Sequence, residues 1–267
     1  MRSVLLIILV VFETASAGFE HRDVGGRSRA LGGAYTGLAD DVWAVFCNVG
    51  GCSQLTMNEV SFYYAPQPFG LGELSYGAAA LALPTSFGVV GISGSRYGFD
   101  LYREFSVGIS FARKIDGVGI GISLNYYSVS IQNYGSAGTI GFDVGVHVPI
   151  IPGLSSGITI KNMNAPTIGI SKEKLPQKFS MGVAYTPAQS ISVAVDYQKE
   201  TGFDASPRLG FEYRVIESVA LRGGMSDEPS QSSCGIGFRY STMELDYALS
   251  RHQDLGWSHQ ASITLRW

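Results

Sequence analysis

The chain has 267 residues, a formal net charge of −3 and a charged fraction of only 15%. This fraction is well below the roughly 25% of soluble globular proteins, and the weakly acidic balance argues against a nucleic-acid partner. After residue 17, no stretch approaches the ~20 continuous apolar residues of a membrane helix. Low charge without a helical span is typical of a membrane β-barrel, which is apolar outside and polar inside.

The first seventeen residues have the pattern of a secretory signal peptide. Arg2 gives a basic start, residues 4–12 are apolar and uncharged, and Ala15-Ser16-Ala17 is a small-x-small cleavage pattern. The apolar run is too short to span a bilayer. We therefore predict that residues 1–17 are a signal peptide cleaved after Ala17.

Residues 18–57 do not alternate and are rich in glycine, and we predict that they form an N-terminal plug. Asp40 or Asp41 could cap a short helix through residues 42–46. Many glycines suit a compact segment packed where side chains have little space. Because the first strand follows directly, the plug is expected beneath the barrel or inside it.

From residue 58 onward, apolar residues alternate with small or polar ones, and turn signals such as Asp116-Gly117 and Pro152-Gly153 interrupt the pattern. Successive strand residues point to opposite faces, so each run makes one apolar and one polar surface. The clearest runs have apolar rows such as Phe105, Val107, Ile109 and Phe111, or Ile140, Phe142, Val144, Val146 and Val148. We count about fourteen strands, joined by connections that we expect to be short at both ends.

Alternation alone also fits a soluble β-sandwich, but three features favour a barrel. The polar face carries mostly Gly, Ser and Ala, which suits a concave interior that holds a plug. Tyrosines that are expected at the two membrane interfaces end several apolar rows: Tyr126, Tyr185, Tyr197, Tyr213 and Tyr240. The last strand closes on Trp267, and such an aromatic ending resembles the signal by which outer-membrane barrels are recognised for assembly. We therefore predict an all-β fold, a closed antiparallel transmembrane β-barrel over residues 58–267 with the plug and its short helical turns inside the lumen.

Charged side chains fall on the small-residue face of the predicted strands: Glu104, Asp143, Lys161, Asp196, Arg208, Glu212, Arg222, Arg239, Glu244, Asp246 and Arg266. An Arg or Lys at mid-depth on the lipid side would cost about 2–4 kcal/mol, so a position in the lumen is expected. Two interpretations stay open. The charges brace the wall and hold the plug through ion pairs, or they form a charged constriction that selects solutes.

Residues 29–41 read Arg-Ala-Leu-Gly-Gly-Ala-Tyr-Thr-Gly-Leu-Ala-Asp-Asp, and Asn48 follows. This stretch resembles the N-terminal hatch of the FadL superfamily, which includes fatty-acid transporters and PorV/PorQ-type barrels. The resemblance implies a fourteen-stranded barrel, and it assigns these residues to the hatch motif: Arg29, Gly32, Gly33, Tyr35, Asp40, Asp41 and Asn48. Where the family has Asn-Pro-Ala, this chain has Asn48-Val49-Gly50, so only the asparagine matches. The short chain and short expected loops favour the PorV/PorQ-like or an uncharacterised branch.

We predict no catalytic, cofactor or metal site. Residues 153–157 match the G-x-S-x-G spacing, but they enter a strand instead of forming a strand-to-helix elbow. The histidines have no metal-binding spacing, and a lumenal His147 near Asp143 is either a titrating pair or a wall contact. Cys47 and Cys52 are either bridged or, as we favour, free, because three cysteines make no disulfide framework.

Two functions follow for a barrel in the outer membrane of a Gram-negative-type bacterium. The first is porin-like transport of a hydrophobic or small solute; the alternative is a non-transporting membrane dock or secretion-system accessory. The expected partners are outer-membrane lipid, the barrel-assembly machinery through the strand that ends in Trp267, and a hydrophobic ligand or a secreted protein. If the plug closes the lumen, five motif residues should contact the wall: Arg29, Tyr35, Asp40, Asp41 and Asn48.

Overall fold

A computed structural model describes residues 18–267, and the predicted signal peptide lies outside these residues. Sixteen strands follow one another along the chain: β1 Glu59–Ala65, β2 Tyr76–Thr85, β3 Gly88–Gly98, β4 Tyr102–Ile115, β5 Val118–Ile131, β6 Gly135–Ile151, β7 Leu154–Lys161, β8 Thr167–Ile168, β9 Glu173–Lys174, β10 Lys178–Ala188, β11 Ile191–Glu200, β12 Ser206–Ile216, β13 Val219–Ser226, β14 Gln231–Tyr240, β15 Met243–His252 and β16 Gly256–Arg266. Fourteen of them close into one antiparallel barrel, and β8 and β9 form a separate hairpin. The predicted fold class and strand number are confirmed.

The barrel closes between its first and last strands. Glu59 of β1 lies opposite Arg266 of β16, and the pairing continues to Tyr64 opposite Ala261. Every other strand pairs with its neighbours in chain order, except that β7 pairs directly with β10. The long-range pairing of β1 with β16 leaves no free edge in the barrel, as a membrane-spanning sheet requires.

The two ends of the barrel differ. At the end that carries Trp267, named here the turn end, the six connections between strands are two-residue turns, including the predicted Asp116-Gly117 and Pro152-Gly153. At the opposite end, named here the loop end, the connections run from three residues (99–101) to the sixteen of 162–177. The expectation of short connections at both ends is therefore wrong at the loop end. The segment 162–177 is long because it carries the β8–β9 hairpin, whose flanking residues are buried against the lumen.

The outer surface of the barrel is apolar. In β4 and β5 buried and exposed residues alternate, and Ile109 and Ile122 on the outer face are 55% and 58% exposed. Among the tyrosines predicted at the rims, Tyr126 and Tyr197 lie toward the loop end of their strands, whereas Tyr185, Tyr213 and Tyr240 lie toward the turn end. This distribution is the one expected for aromatic girdles at two interfaces.

The plug, residues 18–57, lies inside the barrel. It contains two short helices, α1 (Gly26–Ala30) and α2 (Ala44–Cys47), and a 3₁₀ helix over Val49–Gln54. The predicted aspartate cap is wrong: the N-cap position of α2 is Trp43, without a side-chain cap hydrogen bond, and the Asp41 carboxylate instead accepts a hydrogen bond of 2.8 Å from the Trp43 amide in the preceding turn. None of the helices within residues 18–267 is long or apolar enough to cross a membrane.

Glycines of the plug and of the wall allow the two backbones to touch. A Cβ atom on Gly121 of β5 would lie 2.6 Å from the Val49 carbonyl, and one on Gly50 would lie 2.7 Å from the Gly145 carbonyl oxygen on β6. Gly32 has a φ of +65° and meets the backbone of Met225 on β13 at a similar distance. The small residues on the lumen face of the strands therefore let the plug backbone pack directly on the wall.

Candidate functional site

The plug runs through the lumen from the loop end to the turn end. Near its start, the Phe19 amide donates to Glu104 on β4 (3.0 Å), and the His21 amide donates to Glu200 at the end of β11 (3.2 Å). Farther along the plug, the Val42 amide donates to Glu59 at the start of β1, at the turn end (3.0 Å). The plug therefore occupies the full length of the lumen, and any passage through it requires the plug to move.

Side chains of the wall hold the plug backbone at mid-height. The Asp196 carboxylate on β11 accepts hydrogen bonds from the consecutive amides of Tyr35 (3.0 Å) and Thr36 (2.8 Å). From the plug side, the Asn48 amide group donates to the carbonyls of Val146 on β6 (3.0 Å) and of Thr36 (2.9 Å). Because both Asn48 and Asp196 are almost fully buried, these contacts satisfy polar groups that water does not reach.

A network of buried charges, named here the turn-end cluster, joins the plug to the wall below these anchors. Arg27 of α1 makes a two-point contact with Glu212 on β12, at 2.8 Å and 3.1 Å, and also reaches Asp40 at 2.5 Å. Arg222 on β13 then links Glu212 (2.6 Å) to Asp246 on β15 (2.5 Å). Charge-assisted pairs of this kind are the strong hydrogen bonds of a protein interior.

The turn-end cluster continues to the rim at which the barrel closes. Arg266 of β16 contacts Glu59 of β1 at 2.9 Å and Glu244 of β15 at 2.6 Å. Arg239 of β14 joins the same Glu244 carboxylate at 2.7 Å. Apart from Arg208, the predicted lumen charges on β12 to β16 therefore form one continuous network. This arrangement favours the interpretation that they brace the wall and hold the plug.

A second group of charges lies toward the loop end. Asp23 of the plug pairs with Arg208 of β12 and lies 3.6 Å from Arg29 and 3.9 Å from Lys178 of β10. Burial alone would raise the pKa of the Asp23 carboxyl, but these three cations outweigh it and hold that pKa well below its usual range. Asp23 is therefore ionised and ties the start of the plug to two strands.

The structure brings some of the predicted motif residues to the wall and keeps others inside the plug. Arg29 donates to Gln260 of β16 (2.7 Å), and Tyr35 and Asn48 reach the wall through the bonds described above. The ion pairs of Asp40 and Asp41 lie within the plug, and the contact of these two residues with the wall stays a prediction. Both carboxylates face Arg27 within the plug, at 2.5 Å and 3.5 Å, because the intervening turn folds residues 40 and 41 back onto α1.

Five predicted lumen charges do not belong to the turn-end cluster: Glu104, Asp143, Lys161, Asp196 and Arg208. Asp143 of β6 accepts from the side chain of Asn125 and from the backbone of Asn162, both at 2.8 Å. His147 contacts Gln54 of the plug at 3.2 Å and no hydrogen bond joins it to Asp143 in the described chain, so it is a wall contact. Sequence reasoning missed Arg27 and Asp23, whose only local signal is a charge inside a glycine-rich stretch.

An aromatic cavity of about 80 Å³ lies at the loop end beside the start of the plug. Phe19, Phe46, Tyr76, Tyr97 and Tyr127 are among the side chains that line it, and charged and small polar groups complete its wall. The Arg22 guanidinium lies 3.5 Å from the centre of the Tyr97 ring, within cation–π range.

A lid from the long loop covers this region. Ile168 of β8 and Leu175, which follows β9, are buried in one cluster with Phe19. Tyr127, Val129 and Ala137 of the wall pack against the same cluster. The start of the plug and the loop 162–177 therefore close the loop end of the lumen together.

The chemistry of the lumen is that of a binding and packing site. The three cysteines are free, and burial raises the pKa of the Cys47 thiol to about 12, so it stays protonated at neutral pH. In the chain from residue 18 onward, no group of three or more His, Cys, Asp or Glu side chains is arranged to hold a metal ion. Ser155 of the G-x-S-x-G stretch donates to the Gly37 carbonyl (2.8 Å), which is a contact with the plug.

The architecture is shared with known outer-membrane channels. The structure of CymD, described as a monoaromatic hydrocarbon channel, matches with a TM-score of 0.69 at 12% identity, over 94% of this chain and 99% of that chain. The chain has a FadL-like barrel fold. The Ralstonia pickettii toluene transporter TbuX gives a TM-score of 0.68 at 14% identity, over 93% of this chain and 98% of that chain. A FadL homologue from Pseudomonas aeruginosa gives 0.63 at 12% identity, over 93% and 99%.

At these identities the likeness of the FadL-like barrels to this chain is one of fold. No family model matches the chain, and no characterised protein matches it in sequence. The three similar structures are described as a channel, a transporter and a FadL homologue, and none is described as an enzyme.

Proposed function

We propose that the protein spans the outer membrane and lets a hydrophobic or small solute enter from the loop end. Support for the membrane comes from the band of exposed Ile, Val and Phe side chains around the barrel, because apolar area gains about 25 cal/mol per Å² when it leaves water. In this arrangement the short turns face the periplasm and the longer loops face outside. Residues 1–17 would direct export, and the β16 strand with Trp267 would be recognised by the barrel-assembly machinery.

The observation that carries the transport proposal is the aromatic cavity next to the plug. Ligand sites for apolar molecules are concave and lined by aromatic groups, and five aromatic rings provide such a surface on one part of this cavity, whereas ionisable side chains such as Arg22, Glu104 and Lys161 line the rest. Its 80 Å³ is smaller than the 150 Å³ engineered cavity that binds benzene. A solute the size of a benzene ring would therefore displace the start of the plug or the lid when it binds.

The plug, residues 18–57, would act as the gate in this function. The turn-end cluster closes the lumen below the cavity with buried ion pairs, and breaking one such pair by removing a partner costs about 3–5 kcal/mol. Residues 18–22, which precede the anchored Asp23, are held by fewer charges: Arg22 contacts Glu104 (3.1 Å) and the His21 ring contacts Glu200 (3.3 Å). We therefore expect solute binding to move the start of the plug first.

The proposal is tested by uptake of radiolabelled toluene into proteoliposomes whose bilayer contains lipopolysaccharide. Ser106→Phe would fill the aromatic cavity, since Ser106 lines it, whereas Val107→Phe adds the same ring on the outer face one residue later. We expect the wild type and Val107→Phe to take up toluene faster than protein-free liposomes do. The uptake rate with Ser106→Phe should be close to that of the protein-free liposomes. Equal uptake with and without wild-type protein would overturn the proposal.

The docking function makes a different prediction for the same preparation. A barrel that serves as a membrane dock would give no acceleration of uptake and would co-purify with a secreted protein under gentle detergent extraction. The buried turn-end cluster suits either function, because it stabilises a closed lumen. The aromatic cavity favours transport.

A further inference from the structure

A second cavity lies on the opposite side of the plug from the aromatic cavity, between the start of the plug and strands β10 to β12. It has a volume of about 110 Å³. The deep part of its wall is polar, and Lys178, Gln198 and Ser206 are 6%, 5% and 4% exposed. A polar cavity of this size is not needed to seat the plug, which Asp196 and the turn-end cluster already hold.

Several polar atoms in this wall have no hydrogen-bond partner within residues 18–267. They are Nε of Arg208, Oε1 of Gln198 and Oγ of Ser206. The Nζ of Lys178 lies 3.9 Å from the Asp23 carboxylate, which is beyond hydrogen-bond range. A buried charged group without a hydrogen bond costs more than the 1–3 kcal/mol or so of a neutral one, so Lys178, which lines the cavity and is 6% exposed, indicates a polar occupant.

The charges of the cavity are arranged by sign. Inside, Lys178 and Arg208 provide cations, whereas Glu200 provides a carboxylate that accepts from the His21 amide and lies 3.3 Å from the His21 ring. At the mouth, three exposed acidic residues line the opening: Glu20, Asp204 and Glu228. A free anion would meet this acidic mouth unfavourably, and a free cation would meet two buried cations beyond it.

The geometry points to a binding site for a small zwitterion of the α-amino-acid type. Its carboxylate would accept from Lys178, and its ammonium group would face Glu200. The volume is below the 150 Å³ that accommodates benzene, with its six heavy atoms, which limits the ligand to about the size of glycine or alanine. This site is separate from the aromatic cavity and does not depend on the transport of an apolar solute.

The test is equilibrium dialysis of radiolabelled glycine, acetate and methylamine against the purified full-length protein in detergent. We expect glycine to bind and the two singly charged probes to bind at least tenfold more weakly. Lys178→Gln should weaken glycine binding at least tenfold, whereas Arg251→Gln, on the outer face of β15, should leave it unchanged. A gel shift between heated and unheated samples reports that each variant is folded.

Three results would overturn the proposal. The first is that the wild type binds no glycine, which would mean that ordered water occupies the cavity. The second is that acetate binds as tightly as glycine. The third is that Lys178→Gln and Arg251→Gln bind glycine equally. If Lys178→Gln does not fold, Ser206→Ala replaces it. This variant removes the hydroxyl of a residue that lines the cavity and adds no atom, and glycine affinity should fall severalfold.

Discussion

Arg27 of the plug and Glu212 of β12 face each other as a two-point ion pair, with Nε–Oε2 and Nη2–Oε1 distances of 2.8 Å and 3.1 Å. They are separated by 185 residues in sequence. Both side chains are buried, so each charge depends on the other. This pair connects the plug to the ion pairs of the wall, so that the charges of the plug and of the wall form one network.

Arg27→Gln is predicted to loosen the plug. It would leave Glu212, Asp40 and Asp41 without their shared cation, and the loss of one partner of a buried pair costs about 3–5 kcal/mol. The free energy of unfolding, followed by tryptophan fluorescence in urea, should fall by that amount. Arg214→Gln is the matched control, because Arg214 lies 3.8 Å from the same Glu212 and is more exposed. Equal losses in the two variants would contradict the role given to Arg27.

Gly121→Ala is predicted to push the plug off the wall. The added methyl group would lie 2.6 Å from the Val49 carbonyl, and overpacking of this kind typically costs about 1–3 kcal/mol. Gly94→Ala is the control, because a Cβ there meets its nearest atom at 3.7 Å. Protease sensitivity of residues 18–57 in the folded barrel should rise in Gly121→Ala only. The same sensitivity in both variants would mean that the wall glycines are not there to admit the plug.

The barrel was predictable from the sequence because its signals are local. The period-two alternation around Ile109 and Ile122 requires only neighbouring residues, and a pair such as Asp116-Gly117 specifies a two-residue turn by its own backbone preferences. The lumen side of Arg222 and Glu244 followed from the same alternation. The resemblance of residues 29–41 to a FadL-type hatch then indicated what fills the interior.

The contacts of the plug were not predictable, because each depends on where distant residues meet. Nothing near Arg27 in sequence distinguishes it from Arg29, yet the first reaches Glu212 and the second Gln260. Asp40 pairs with Arg27 inside the plug, and alternation along the chain does not predict such a contact. The β8–β9 hairpin was missed because two-residue strands are too short to show a period.

The stability that Asp41 contributes is predicted to depend on pH. Burial and the neighbouring Asp40 raise the pKa of the Asp41 carboxyl from 3.8 to about 7, against the opposing effect of Arg27. Between these values the folded protein binds the proton more tightly than the unfolded chain does. Stability therefore falls as pH rises from about 4 to about 7.

Urea unfolding of wild type and Asp41→Asn across this range isolates the effect of Asp41. The difference in unfolding free energy should move in favour of the asparagine variant as pH rises, and should be flat above about pH 8. A difference that is independent of pH between 4 and 7 would mean that Asp41 is ionised throughout. The acidic residues of the wall titrate equally in both proteins, so the comparison removes them.

Deletion of residues 25–52, measured by single-channel conductance in planar bilayers, tests most directly that this chain is a membrane barrel closed by its own plug. The deletion removes α1, α2 and Asn48 and leaves the barrel strands complete. Full-length protein should show no steady conductance, and the deletion variant should show a sharply larger one with the same folded gel shift. A folded deletion variant whose conductance equals that of the full-length protein would contradict the account.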